Sequence, residues 1–240
     1  MTTWFASDLH LDPRQPEITA RFRRFLAGPV RGARALYLLG DLFEAWLGDD
    51  DPEPSYREVT AALADLARNG TLIAVLRGNR DFLLDRGFGA AAGAVLLDDP
   101  ALLRIGDETV LLSHGDGLCT GDAAYQRLRS LVSDARVGAA IAALPLSARR
   151  RLATAARAGS RAHLAAAETD ITDVNPQAVA ELLRATGATT LVHGHTHRPA
   201  VHPLVVDGLP RARIVLGDWH RCGSVLRWDA AGPVLLPAPA

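Results

Sequence analysis

Five short clusters in this 240-residue chain carry side chains able to bind metal ions. They are Asp8-Leu9-His10, Gly40-Asp41, Gly78-Asn79-Arg80-Asp81, Ser113-His114-Gly115-Asp116 and Gly194-His195-Thr196-His197. Four His, two Asp and one Asn give a set of nitrogen and oxygen donors without sulfur. One ion rarely needs that many donors, whereas two ions sharing a carboxylate do. Such a centre holds its ions about 3.5–4 Å apart and clamps both the attacking and the leaving oxygen of a displacement at phosphorus. Ligation of this kind without Cys favours Mn²⁺, Mg²⁺ or Fe²⁺ over a structural zinc site. Asp8 and His10, like His195 and His197, stand at i and i+2, so on extended chain each pair shares a face. Each cluster alone is commonplace, and Gly78–Asp81 alone reads as a turn. The ordered set is the signal.

The elements that must position these groups are legible around them. Apolar runs at Thr3–Ser7, Ala35–Leu39, Leu72–Leu76, Thr109–Ser113, Thr189–Val192, Arg213–Leu216 and Ser224–Trp228 read as buried strands. Each cluster follows one of the first five, and ligands of open α/β sheets gather beyond the carboxyl ends of strands. Helical patterns lie at Pro16–Leu26, Ser55–Arg68 and Pro176–Thr186, the last with Asn175 as N-cap and Gly187 as its stop. Strands alternating with helices imply an α/β layered fold. Residues 121–165 differ: Ala, Leu and Arg dominate, and the segment reads as a helical insertion. The tail Leu235–Ala240 is expected to fray.

Composition removes whole classes of function. Hydrophobic residues make up 48% and charged residues 22%, the balance of a soluble globular protein. No apolar run reaches the length of a membrane span. The opening residues read as the start of a strand rather than a signal peptide. A net charge of −1 gives no overall field favouring nucleic acid. All 26 basic residues are Arg, which codon bias explains and which leaves no lysine ammonium anywhere. Residues 1–120 hold 12 Arg against 18 acidic residues, 121–170 hold 8 against 4, and 171–240 hold 6 against 5. The acidic front suits cations, and the basic middle suits phosphates or an anionic surface. Cys119 and Cys222 are expected to stay reduced in a cytoplasm.

The five clusters resemble the signature of the calcineurin-type metallophosphoesterases. More narrowly, Ser7–Leu11, Leu39–Trp46, Gly78–Leu84, Asp173–Pro176 and His193–Pro199 are similar to the bacterial diphosphatases of UDP-2,3-diacylglucosamine in the lipid A pathway, over nearly the whole chain. The resemblance implies a four-layer αββα sandwich of two mixed sheets, with a core over 1–120 and 171–240 and an inserted helical cap over 121–170. It implies two Mn²⁺ ions, other divalent metals being possible. Asp8, His10, Asp41 and His197 would hold one, and Asp41, Asn79, His114 and His195 the other, with Asp41 as bridge. Asp41, Asn79, His114 and His195 would be the catalytic set. Substrate contacts are implied at Asn79, Arg80, Asp122, Ser160 and His195, with Tyr125 and Arg157 as neighbours for phosphate or sugar. The reaction would be attack of water on the α-phosphorus, giving UMP and 2,3-diacylglucosamine 1-phosphate. Two departures stand out: where relatives carry Asn and Lys, this chain has Leu164 and Ala167, so any missing charge falls to Arg157 or Arg161.

Other residues leave alternatives. Arg80 forks onto phosphate oxygens or is a surface turn residue. Asp81 is expected to orient Arg80 or cap a helix. Asp116 either hydrogen-bonds a ligand His or turns the chain. Asp12, Glu44 and Asp49-Asp50-Asp51 read as solvated loop carboxylates. His193 is expected inside its strand, and His163, His202 and His220 as satisfied or solvent residues. Val137–Leu146 followed by Arg149-Arg150-Arg151 reads as an acyl-chain groove facing anionic lipid, or as a core-packed helix with solvated arginines. Peripheral attachment to the cytoplasmic face of the inner membrane is the expectation, with no nucleic acid and no obligate protein partner. A phosphoesterase for a soluble nucleotide or phosphoprotein is disfavoured by the long apolar and basic insertion. A non-catalytic scaffold is disfavoured because no ligand is lost.

Overall fold

Side-chain alternation along the strands decides the layering. The computed structural model describes residues 2–166, 173–221 and 223–239, without the side chains of 161–166. Strands β1 (Thr3–Ala6), β2 (Ala35–Leu39), β3 (Leu72–Leu76) and β4 (Ala94–Leu97) run parallel and side by side. Strands β10 (Ser224–Asp229) and β11 (Gly232–Pro237) continue that sheet antiparallel beyond β1. The second sheet has the order β5-β6-β7-β9-β8, from β5 (Ala101–Ile105), β6 (Glu108–Leu112), β7 (Thr190–His193), β8 (Ala200–Val206) and β9 (Leu209–Val215). Its central pairs β6–β7 and β7–β9 are parallel and its outer pairs antiparallel, so both sheets are mixed.

Along β1, Phe5 faces the second sheet while Trp4 and Ala6 face the other way. Phe5, Leu39 and Leu76 meet Val110, Leu112, Val192 and Ile214 in a core between the sheets. On the outer face, Trp4, Leu36, Leu38, Ile73 and Val75 pack against Phe22 and Phe25 of α1 (Pro16–Ala27) and Val59 and Leu63 of α2 (Pro54–Arg68). The second sheet covers its outer face with Val179 and Leu183 of α7 (Pro176–Thr186). Helix, sheet, sheet and helix therefore stack in four layers, as expected. Asn175 caps α7 by accepting from the Gln177 and Ala178 N–H groups, and Gly187 ends it at φ 68°.

Between β6 and α7, after a 3₁₀ turn at Asp116–Leu118, come α4 (Ala123–Val132), α5 (Ala135–Ala142) and α6 (Leu146–Ala166). The tail corrects an expectation. Instead of fraying, residues to Pro237 form β11, and Ala238 is buried. Arg21 holds the end down by donating to Trp219 O at 2.8 Å, Ala238 O at 2.9 Å and Pro239 O. Strands β4, β5 and β8 and helix α3 (Arg86–Ala92) have no counterpart among the elements expected from sequence. Cys119 is buried, whereas Cys222, Ala167 and the side chains of Arg161, His163 and Leu164 lie outside the described residues.

Candidate metal centre

The loops that leave β1 and β2 run together. Asp8 N–H donates to Gly40 O at 3.2 Å, His10 N–H to Asp41 O at 3.0 Å and Leu11 N–H to Leu42 O at 3.0 Å. The second sheet joins them where His195 N–H donates to Asp8 Oδ2 at 2.9 Å. Asp8, His10, Asp41, His195 and His197 all take positive φ, between 48° and 65°. Non-glycine residues rarely enter that region, and strain there clusters at functional sites. At Gly194 even a methyl group is excluded, since a Cβ would collide with Ser7 Oγ and Asp8 Oδ2.

All seven expected ligands converge. His10 Nε2 lies 3.3 Å from His197 Nε2, and Asp8 Oδ1 lies 3.3 Å from the same His197 nitrogen. Asp41 Oδ2 is 3.9 Å from His10 Nε2 and 3.7 Å from His114 Nε2, so it stands between two groups of donors. Asn79 Oδ1 lies 3.0 Å from His114 Nε2 and 3.2 Å from His195 Nδ1. Donor atoms of Asp8, His10 and His197 lie within 4.8 Å of one another, and so do those of Asp8, Asp41 and His114.

Ring nitrogens facing each other and facing carboxylate oxygens in a buried cleft suit cations. Burial opposes ionisation of Asp8, yet His197, His114 and His10 hold its carboxyl well below the usual range. Burial and the neighbouring His114 depress His195 to about 4, leaving a neutral ring of the kind a metal requires. Against the penalty of burial, Asp41, Asp116 and Asp8 raise His114 to about 10, a measure of the negative potential in the cleft. The residues present thus fit divalent cation binding.

The surroundings correct several expectations. Asp81 neither orients Arg80 nor caps a helix. Its carboxylate accepts from the N–H groups of Gly78 at 2.7 Å, Leu42 at 2.7 Å, Asp41 at 3.3 Å and Phe43 at 3.4 Å, locking two loops together. Burial, then the charge of Asp41, lift it to about 6. Of the two readings of Asp116, the turn holds: its Oδ1 accepts from the Gly117 N–H at 2.8 Å, while Oδ2 accepts from Tyr125 Oη at 3.0 Å and Arg129 Nε at 2.9 Å. The carboxylates expected in solvent are engaged. Asp12 is buried and pairs with Arg14, while Asp49 accepts from Trp46 Nε1 and Phe88 N–H, each at 3.0 Å. Glu44 faces His10, Arg80 and Arg157. Arg149 is neither solvated nor lipid-facing: it is buried, bonding Asp50 Oδ1 at 2.6 Å and the Leu47 and Leu144 carbonyls. Arg150 reaches Asp51 Oδ1 at 3.4 Å but stays exposed, as does Arg151.

Of the expected substrate contacts, Arg80 and Tyr125 stand beside the donors. Arg80 N–H donates to Asp41 Oδ1 at 2.8 Å. The Tyr125 ring lies 5.7 Å from that of His195. Arg157 and Ser160, both half-buried, share one face of α6. Asp122 caps α4 by accepting from the Tyr125 N–H at 2.9 Å. His193 is buried in its strand, its ring held neutral by burial at about 4. His220 is satisfied by Gln15 and the Leu9 carbonyl. Sequence reasoning missed Asp218, which is buried with Oδ2 at 3.6 Å from His197 Nδ1. Its signal was present: Gly217-Asp218 follows a strand as Gly40-Asp41 does.

Comparison with known proteins agrees with this geometry. The family model described as calcineurin-like phosphoesterase matches residues 1–199. The chain is 48% identical over 231 residues to a UDP-2,3-diacylglucosamine hydrolase of Pseudomonas entomophila (strain L48), covering 96% of each chain. It is 47% identical over 239 residues to that of Pseudomonas aeruginosa (strain UCBPP-PA14), covering 100% of both. It is 48% identical to that of Azotobacter vinelandii (strain DJ / ATCC BAA-1303), covering 100% of this chain and 99% of the relative. The chain belongs to the calcineurin-like phosphoesterase family, in the company of the UDP-2,3-diacylglucosamine hydrolases.

Proposed function

We propose that the chain hydrolyses the pyrophosphate of UDP-2,3-diacylglucosamine to UMP and 2,3-diacylglucosamine 1-phosphate, using two Mn²⁺ ions. Convergence of seven donors on one cleft is the observation that carries this reading. Asp8, His10, Asp41 and His197 are assigned to one ion and Asp41, Asn79, His114 and His195 to the other. The position of Asp41 Oδ2 between His10 and His114 supports its bridging both. When bound, such ions make water acidic enough to supply hydroxide near neutral pH and screen the charge of the pyrophosphate. The protein's own groups do the rest. Asn79 and His195 orient the α-phosphoryl group for attack from one side. Arg80 and Arg157 offer forked donors to its oxygens. Asp218 behind His197 and Asp81 behind Asp41 keep those ligands in place.

The helical segment 121–170 is assigned as the cap, with Asp122, Tyr125, Arg157 and Ser160 turned to the headgroup. Leu128, Leu131, Leu144 and Leu152 are exposed on it, which suits acyl chains and a bilayer surface. Among the described residues no helix is long and apolar enough to cross a membrane, so attachment to the cytoplasmic face of the inner membrane would be peripheral. The deciding assay compares UDP-2,3-diacylglucosamine with a soluble UDP-sugar after chelation and return of Mn²⁺. Turnover confined to the diacyl substrate is expected; equal turnover of both would sink the lipid reading.

A further inference from the structure

Glu44 stands outside the ligand set but touches three parts of the site. Its N–H donates to Leu11 O at 3.0 Å, which fixes it beside His10. One carboxylate oxygen, Oε2, lies 3.3 Å from His10 Nδ1, an ion-pair contact rather than an aligned hydrogen bond, and this buried nitrogen has no other partner among the described residues. The other, Oε1, stands 3.7 Å from Arg80 Nη1 and 3.9 Å from Arg157 Nη1. The side chain is 20% exposed, so solvent screens these contacts only in part. On its far side, the His10 ring turns Nε2 toward His197 and Asp41. A neutral imidazole has one N–H and one lone pair. With the proton on Nδ1, toward Glu44, the lone pair on Nε2 points into the donor cluster. Arg80 follows β3 and Arg157 belongs to α6, so a single carboxylate reaches both the core and the insertion.

We propose that Glu44 is a positioning residue, holding His10 in its Nδ1–H tautomer for a divalent cation while tying Arg80 and Arg157 to the same point. The inference rests on the two-cation reading and deepens it. Two consequences separate: loss of Glu44 weakens cation binding through His10, and it displaces two arginines through their shared partner.

The test uses the full chain with Mn²⁺ as probe and two variants, Glu44→Gln and Glu44→Met. Gln retains an oxygen that can accept from His10 Nδ1–H; Met retains the length and not the acceptor. Calorimetric titration of the chelated protein is expected to show Mn²⁺ binding weakened about 10- to 100-fold in Glu44→Met, the range seen when partners of metal ligands are removed. Glu44→Gln is expected to stay within about threefold of the unmodified chain, because a neutral acceptor preserves most of such a bond. At saturating Mn²⁺ both variants are expected to raise KM for the diacyl substrate more than they lower kcat. Equal Mn²⁺ affinity in Glu44→Met and the unmodified chain overturns the proposal. The ring-nitrogen spectrum of His10 in the unmodified metal-free chain tests the same point without requiring any variant to fold: Nδ1–H is expected, and Nε2–H overturns the proposal. Neither the Mn²⁺ titration nor the ring-nitrogen spectrum uses the substrate. Glu44-dependent Mn²⁺ binding without cleavage of UDP-2,3-diacylglucosamine would refute the substrate reading and leave this inference standing.

Discussion

The five loop tips and the helical insertion meet at one cleft but are built on opposite principles. At the tips, Asp8, Asp41 and His114 are buried, five of the seven donors hold a left-handed backbone, and Asp81 alone ties four N–H groups of two loops. In the insertion, α4 and α5 bury no residue among those described. Its ties to the core are charged and polar: Arg149 to Asp50, Arg150 to Asp51, Arg157 to Glu44, and Tyr125 and Arg129 to Asp116. Cations tolerate little error in donor placement, so their donors are set by backbone. A substrate with a large headgroup must enter and leave, and elements that yield to ligands come from the less stable parts of a fold.

The largest expected effect breaks the rigid side of this contrast. Asp41→Ala removes the oxygen between His10 and His114 and is expected to lower metal-dependent hydrolysis about a thousandfold or more, with the fold retained by circular dichroism. Full residual activity would remove Asp41 from the centre of the site. Gly194→Ala comes next. Its Cβ would push Ser7 and Asp8 apart, and a shift of about 1 Å costs about a hundredfold in kcat/KM. Activity near that of the unmodified chain would show that the tips adjust as freely as the insertion.

Arg149→Met tests the adaptable side. It leaves Asp50 unpaired, but that carboxylate is 65% exposed, so the stability loss is expected to be about 1 kcal/mol, mostly packing. Loosening α6 is expected to raise KM for the diacyl substrate about tenfold, some 1.4 kcal/mol of binding, with kcat nearly unchanged. Steady-state kinetics at saturating Mn²⁺ reads the split. A fall in kcat with constant KM would make the insertion part of the chemistry.

Legibility in the sequence divides along the same line. The central parallel strands are continuous apolar runs because both faces are buried, and β2 and β3 form over the ranges their residues mark. In the edge strands β4, β5, β8 and β11 exposed positions hold apolar residues such as Val95, Leu102, Val201 and Val205, and β8 and β11 contain Pro, so their sequences carry no clear polar alternation. All seven donors can be named from sequence because each stands just past a strand. Their partners cannot, because what makes Glu44, Asp50 and Asp116 structural is an arginine or tyrosine far along the chain or on another element. Asp50 and Arg149 are 99 residues apart, a contact that only folding creates.

The smallest expected effect lies where the two regions touch. Asp116 belongs to the turn after β6, where its Oδ1 accepts from the Gly117 N–H, yet its Oδ2 reaches α4, accepting from Tyr125 Oη and Arg129 Nε. Burial and nearby carboxylates push the Tyr125 phenol far up, so it stays protonated and donates. Asp116→Asn keeps the acceptor oxygen and removes the charge. It is expected to cost about 1 kcal/mol in holding Tyr125 beside His195, read as a KM raised about three- to tenfold with kcat within about twofold. Tyr125→Phe breaks the same bond from the other side. The double variant is therefore expected to lose little more than the worse single one, since residues joined by one bond do not add. Additive losses would mean that Asp116 acts on the cleft through its charge, and the adaptable region would then begin further along the chain than Asp116.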